Sequence, residues 1–315
     1  MDAAIFGHIV ADVLGEPIDL RHPPRPGGMS LLRTLRLAPG GNACNVAVAM
    51  TRLGGTAAAA GLVGQDILGR ALVEQLREES VETAAIFTTD RAQTSATIVA
   101  VEPGGERCFF HAPGTTPLLN ADTFRRCFDL FRQCAWVQIG YFGLLPDPLI
   151  RQLPALLEEF RQLAPGSKIA MDTLNPPGPW ELLEPILGQL DLFAPSRTEA
   201  AELTGQTRPQ DMAARFHQHM RPGSLVGIKL DAEGCYLSDG ERGGLVPGYQ
   251  VQVIDTTGAG DTWFGALLVA LRRGMPLEQA GRFANRAAAD CCTAIGASAG
   301  VRGFQQTLER IQGQP

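Results

Sequence analysis

The run Asp255-Thr256-Thr257-Gly258-Ala259-Gly260-Asp261-Thr262-Trp263-Phe264 sets an anion cradle beside a carboxylate, the two parts that phosphoryl transfer to a hydroxyl requires. Gly258, Ala259 and Gly260 carry minimal side chains, so backbone N–H groups there can approach an anionic ligand closely. The sequence then turns helical, with Phe264, Leu267, Leu268 and Leu271 at helical spacing, which puts the cradle at the positive end of a helix dipole. Asp261 falls in the first turn, where the dipole favours the ionised carboxylate that a general base must be. Taken alone, the same residues also fit a glycine turn with Asp261 capping a helix.

A second polar cluster stands far upstream, in Gly40-Gly41-Asn42-Ala43-Cys44-Asn45-Val46-Ala47, followed by Arg52-Leu53-Gly54-Gly55 and by the glycines of 61–69. Its amides leave a glycine turn and enter an apolar helix. By itself it reads equally as a helix-entry turn or as a binding site.

The elements that must position these clusters alternate along the chain. Strand-like apolar runs at 3–10, 57–63, 136–142, 169–172, 192–194 and 225–230 are interleaved with amphipathic segments at 45–53, 67–78, 149–163, 180–187 and 199–203, and two C-terminal helices follow. The alternation predicts an α/β fold, a doubly wound, mostly parallel sheet with helices on both faces. Two stretches break the rhythm. One, 13–37, is rich in Pro and Gly; in the other, 94–101 and 107–110 flank Pro103-Gly104-Gly105, a hairpin signal. Together they predict a small discontinuous β lid over approximately 13–38 and 94–112, within a single domain covering 1–315.

Composition narrows the function classes. A chain of 315 residues with 45% hydrophobic and 19% charged residues is an ordinary globular protein with room for a large core. A net charge of -6, a pI near 5.5 and no run of basic residues exclude a nucleic-acid partner. The N-terminal segment enters a strand without a basic leader, and no apolar stretch is long enough for a membrane span, so a cytoplasmic enzyme without a membrane partner is expected. Seven cysteines at 44, 108, 127, 134, 235, 291 and 292 form no C-x-x-C pair and read mostly as small buried apolar residues. The histidines form no metal-ligand set, and His217 and His219 are expected on a solvated helix face.

The two clusters in one chain resemble the ribokinase-like carbohydrate kinase family, often called the PfkB family, and the resemblance spans essentially the whole sequence. The C-terminal motif is highly specific. The resemblance implies an ATP-dependent kinase that uses Mg2+ to phosphorylate a hydroxymethyl group of a sugar or nucleoside. It implies that Asp261 is the base and that Gly258, Ala259 and Gly260 form the anion hole. Gly40, Gly41, Asn42 and Asn45 match the sugar site, and Asp12, in Gly7-His8-Ile9-Val10-Ala11-Asp12, matches a carboxylate that grips sugar hydroxyls; a turn residue at a strand end is the other reading of Asp12.

Further positions follow from the same resemblance. Glu199 matches a residue that organises magnesium through water, with Ser196 standing where the family usually has Asn. Asp172 and Asn175 match a motif that normally ends in Arg, where this chain has Pro177, and Asp172 fits either the surroundings of the site or a purely structural turn. Lys229 and Gly234 match the strand and turn that contact ATP, with Asp231 replacing the usual glycine, and Asn285 matches a position near the adenine. Asp255 and carbonyls near Thr257, Cys291, Ala294 and Gly296 match a monovalent-cation site, which makes potassium a candidate activator, although Gly300 replaces a serine often found there. Pairing of lid hairpins between subunits implies a homodimer.

Rival classes lack their signatures. No G-x-G-x-x-G follows the first strand, which excludes a dinucleotide-binding oxidoreductase, and G-x-x-x-x-G-K-[ST] is absent. Ser196 and Asp231 leave open a catalytically weak sugar- or nucleoside-binding regulatory protein on the same fold. A sugar-phosphate kinase also stays open: Asn42 supplies no basic dock and points to an unphosphorylated acceptor, but Arg33, Arg91 and Arg107 are available cations.

Overall fold

The chain opens with Ala3–Phe6 (β1), four consecutive buried residues whose alternation sends Ala4 and Phe6 into one hydrophobic cluster and Ala3 and Ile5 into another. A strand buried on both faces belongs at the centre of a helix-covered sheet. The computed structural model of the chain describes residues 1–103, 106–174, 176 and 178–313. The strands after β1 are Val10–Glu16 (β2), Thr34–Gly40 (β3), Ala57–Gly64 (β4), Glu82–Thr89 (β5), Ser95–Val101 (β6), Arg107–Ala112 (β7) and Trp136–Ile139 (β8). Lys168–Met171 (β9), Leu192–Phe193 (β10), Leu225–Lys229 (β11), Gly234–Ser238 (β12) and Gly243–Pro247 (β13) complete them. Nine form one sheet in the order β13-β12-β11-β10-β9-β8-β1-β4-β5, parallel except where β12 and β13 close one edge antiparallel.

Helices cover both faces, as a doubly wound sheet requires. On one face the helices Asn42–Arg52, Ala259–Arg272 and Leu277–Cys291 bury Val46, Phe264, Leu267 and Phe283. On the other, Ala121–Arg126, Leu153–Leu163, Trp180–Leu187 and Pro209–His217 bury Phe124, Phe160, Leu183 and Phe216. Each fully buried phenylalanine contributes about 1.5–3 kcal/mol relative to an exposed one, so these faces fix where the helix ends lie.

From β1 the main sheet grows first through β4 and β5 on one side and then, from β8 onward, on the other. The crevice at the carboxyl ends of β1 and β8 is therefore a topological switch point, where open α/β sheets place their ligands. Over it stands the second sheet, ordered β3-β2-β6-β7. Leu14, Val99 and Val101 on its inner face pack with Ala38 and Ile295, while Leu35, Ile98 and Phe110, from the alternate positions, stay exposed.

Several elements differ from the sequence reading. The first strand stops at Phe6, because the chain leaves the main sheet there and residue 10 already belongs to the lid sheet. Strand β5 and the helices Ala121–Arg126 and Pro209–His217 were not expected, and the C-terminal part has a third helix, Phe304–Gln312. His217 and His219 do not lie on a solvated face. His217 Nε2 lies 3.0 Å from Ser238 Oγ at the end of β12, and His219 Nδ1 lies 3.1 Å from Glu184 on the neighbouring helix Trp180–Leu187. All seven cysteines are free, five of them buried. Among the described residues no helix is long and apolar enough to cross a membrane, and no group of three His, Cys, Asp or Glu side chains could hold a metal alone. Gly104 and Gly105, expected in the lid turn, lie outside the described residues.

Candidate active site

Two helices enter the crevice from glycines at which any side chain would be strained. Gly41, at φ 80°, precedes Asn42–Arg52, and a Cβ there would stand 2.4 Å from the His8 carbonyl oxygen. Gly258, at φ 74°, precedes Ala259–Arg272, and a Cβ there would stand 2.4 Å from the Ala297 carbonyl oxygen. The two helices pack side by side with their first turns together, so the two distant clusters of the sequence meet.

Their meeting point is the Asp261 carboxylate. Asn42 Nδ2 donates to Oδ1 at 3.0 Å, Asn45 Nδ2 donates to Oδ2 at 2.8 Å, and the Tyr141 hydroxyl donates to Oδ2 at 2.8 Å. Asp261 is only 3% exposed. Burial pushes its carboxyl above the usual range, against the lowering effect of Asn45, Tyr141, Lys229 and Asn42. Burial thus acts on its ionisation against the sense of the helix dipole.

Tyr141 was missed in the sequence. It follows β8 in a left-handed conformation, φ 53° and ψ 53°, which costs a residue with a side chain about 1–2 kcal/mol. Two bonds hold it there: its N–H donates to Asp172 Oδ1 at 2.9 Å and its hydroxyl to Asp261. Burial, then the Asp261 and Asp172 carboxylates, push its phenol well above the usual range, so it stays a donor. The available signal was a polar aromatic just past a central parallel strand.

Asp172 belongs to the same group and is not a remote structural turn. Its Oδ2 accepts from Asn42 Nδ2 at 3.2 Å. Burial pushes it up to about 7, Lys229 opposes this, and Asp261 and Glu199 add to it. Asn175 and Pro177 lie outside the described residues. Lys229, at the end of β11, brings Nζ to 3.7 Å from where a Cβ on Gly260 would stand, so the glycine leaves room for the ammonium beside the turn.

Ser196 caps the helix Arg197–Thr204 in a reciprocal box: its hydroxyl accepts from Glu199 N at 3.3 Å and Glu199 Oε2 accepts from Ser196 N at 2.7 Å. Serine and asparagine are equally good N-caps, which accounts for the exchange at this position. Asp231 adopts φ 54°, the conformation a glycine would take there and one that Asp tolerates better than most. Gly234, at φ 106°, would set a Cβ 2.1 Å from the Val246 carbonyl oxygen. Asn285 accepts from Trp263 Nε1 at 2.8 Å and donates to the carbonyls of Val246 at 2.9 Å and Pro247 at 3.0 Å. Its amide thus clamps β13 to the helices and shapes a wall.

On the lid side, Asp12 lies within β2, not in a turn, and Gly40 leaves its carboxylate space: a Cβ there would stand 2.1 Å from Asp12 Oδ2. Burial raises Asp12 to about 6, eased by a hydrogen bond from Thr97. A cleft of ≈ 320 Å³, lined by Leu14, Arg36, Pro39, Asn45, Arg52 and Ala297 among others, runs between lid and core to Asn45.

At the residues expected to hold a monovalent cation, Asp255 and Thr257 are bonded to a guanidinium of the lid. Asp255 Oδ2 accepts from Gly296 N at 2.6 Å, and Oδ1 accepts from Thr257 N at 2.9 Å and from the Arg107 guanidinium. Arg107 also bonds Thr257 Oγ1. The Cys291 thiol is directed at the carbonyls of Ala297 and Thr257, 3.2 and 3.6 Å away. Ala294 and Gly296, expected to contribute backbone carbonyls, lie in the bend after Leu277–Cys291.

Comparison with known proteins agrees with this architecture. The family model described as pfkB family carbohydrate kinase matches residues 2–302. A ribokinase of Haemophilus influenzae is 28% identical over 314 residues, 98% of this chain and 97% of its own. Fructokinase-1 of Oryza sativa subsp. japonica is 31% identical over 293 residues, 87% of this chain and 89% of its own. Among solved structures, a putative ribokinase II from E. coli in complex with ATP and Mg2+ superposes with a TM-score of 0.84 at 20% identity, covering 99% of both chains.

Proposed function

The chain belongs to the pfkB family of carbohydrate kinases, and from that premise we propose that it transfers the γ-phosphoryl group of ATP to a hydroxymethyl group of an unphosphorylated sugar. The observation that carries this reading is the convergence of Asn42, Asn45 and Tyr141 on Asp261, next to a glycine turn at a helix N-terminus. In this reading Asp261 takes the acceptor's proton as its oxygen attacks the γ-phosphorus and ADP leaves. The N–H groups of Gly258, Ala259 and Gly260, with Lys229 beside them, meet the charge on the transferred group. Asp12 accepts hydroxyl hydrogen bonds from the sugar, and Gly40 and Gly41 give the sugar close access to backbone.

Magnesium, when bound with ATP, neutralises the β- and γ-phosphates. Glu199 fits a role through water. One of its oxygens is held by the helix cap, and its carboxylate, near Asp172, would supply charge to hold the metal through water. Lys229, Gly234 and Asn285 form the nucleotide side, the last two as shape and not as donors.

Two observations support an acceptor without a phosphate: Arg33 is paired with Glu16 and Arg107 with Asp255, so neither is a free dock. Relatives named ribokinase and fructokinase favour a pentose or hexose over a nucleoside. The test is ADP release from purified protein with Mg-ATP and a panel of sugars, sugar phosphates and nucleosides. Tight binding of one sugar with no ADP above background would replace the kinase reading by that of a sugar-binding protein.

Tyr141→Phe probes the base directly. Removing a donor from the Asp261 carboxylate raises its pKa further, so the acid limb of the rate profile moves to higher pH, with a turnover loss of roughly tenfold. A limb that stays in place excludes Tyr141 from tuning the base. We also read the protein as a homodimer through the lid. Strand β7 is a free sheet edge, and Leu35, Ile98 and Phe110 stand 68%, 54% and 54% exposed on the outer face. Light scattering should give twice the chain mass, and Ile98→Asp should return the monomer; a wild-type monomer ends this reading.

A further inference from the structure

We propose that Arg107 is a built-in cation: a guanidinium carried by the lid stands where a monovalent metal ion would bind beside the glycine turn, so that catalysis proceeds without potassium. The proposal rests on the kinase reading above, and its first support is that the pair is dry. The Asp255 side chain is 2% exposed and that of Arg107 11%. A buried carboxylate must be fully bonded to persist, and here Arg107, Gly296 N and Thr257 N do this. Burial pushes the Asp255 carboxyl up, but Arg107, Gly296 and Thr257 outweigh it and hold it below the usual range.

The second support is the shared donor. A single nitrogen of Arg107, Nη1, bonds both Asp255 Oδ1 and Thr257 Oγ1, so one positive atom meets the two side-chain oxygens at the position an ion would take. The Thr257 carbonyl, another candidate ligand, faces a thiol donor. Burial pushes the Cys291 thiol up to about 12, so it remains protonated and donates towards the Ala297 and Thr257 carbonyls.

The third support is position. Asp255 and Thr257 lead directly into Gly258, and Arg107 sits on β7 of the lid sheet. One ion pair therefore sets the turn that bears the anion-facing N–H groups and ties the lid down over it. A mobile ion would set the turn without fixing the lid. Arg107 is thus a positioning residue that couples lid closure to assembly of the anion hole.

The test uses the full chain in buffers whose only monovalent cation is tetramethylammonium, with and without potassium. ADP release and the thermal midpoint of the wild type should be the same in both. Arg107→Ala should lose roughly tenfold or more of turnover, and potassium or free guanidinium should restore part of that loss and raise the variant's midpoint. Wild-type activation or thermal stabilisation by potassium overturns the proposal, as does a variant with full activity or no response to either cation. Arg107→Gln, uncharged but of similar reach, carries the same expectations if the alanine variant does not fold. A protein inactive on every acceptor refutes the kinase reading alone, because the melting series decides the cation claim without substrate.

Discussion

Asp261→Asn should lower turnover by roughly 10²–10⁴ with little change in ATP affinity, the loss expected when a general base is removed and the binding surface is kept. The substitution preserves volume, and the surrounding bonds can re-form. Asparagine's carbonyl can still accept from Asn45 and Tyr141, while its amide would face the Asn42 amide donor. Asn42 can answer by turning over, because its Oδ1 is buried without a hydrogen-bond partner; this gives up its bond to Asp172 Oδ2, which a protonated Asp172 replaces by donating to the turned Oδ1. The variant should therefore fold, and no longer burying a carboxylate should leave its melting point equal or higher.

The pH profile gives an independent check. A base must be deprotonated to act, so the rate falls as pH drops through its pKa. Burial places that limb above the ordinary carboxylate range. Asp172, pushed up to about 7, and Asp12, to about 6, titrate nearby, so the limb belongs to the coupled set. In Asp261→Asn the residual rate should lose part of this acid limb. Turnover at the wild-type level would remove Asp261 from the role of base.

How far the sequence announced this site depends on the kind of information each residue carries. The two helices after the glycine turns were readable, because a glycine turn followed by apolar spacing is a local signal; the first was read from 45 and starts at 42, and Asn45 and Asp261 lie on their first turns. That these turns touch was not local: it came from resemblance and is realised by packing across a gap of 216 residues in sequence. Tyr141 carried only its place just past a central strand as a signal, since its left-handed backbone and buried hydroxyl exist only once β8, Asp172 and Asp261 are assembled. Arg107 was read as a free cation because a lid strand shows nothing of the loop it closes on. In the same way the run 82–89 was passed over as a strand: as an edge strand of the main sheet it alternates between exposed and buried residues and lacks the continuous apolar run of β1 or β4.

Gly258→Ala tests whether the turn acts through its geometry, and the expected result is a fall in turnover of about 10² together with a lower melting point. Two costs combine. A left-handed alanine is worth about 1–2 kcal/mol less than glycine, and the new Cβ would meet the Ala297 O, Cα and Cβ at 2.4, 2.7 and 2.7 Å. Ala297 O is backbone and already accepts from the Cys291 thiol, so it cannot rotate away as a flexible side chain would. The turn itself must shift, carrying with it the N–H groups of Ala259 and Gly260, and a displacement on the order of 1 Å suffices for the loss. Gly260→Ala separates this from general damage, because the nearest atoms to its Cβ are Lys229 Nζ and Cδ at 3.7 and 3.9 Å. That variant should keep its melting point while its methyl group narrows the space between the turn and the Lys229 ammonium. If Gly258→Ala melts lower but turns over normally, the turn is a packing device and the anion must be held elsewhere; if Gly260→Ala also turns over normally, the space beside Lys229 receives no phosphate.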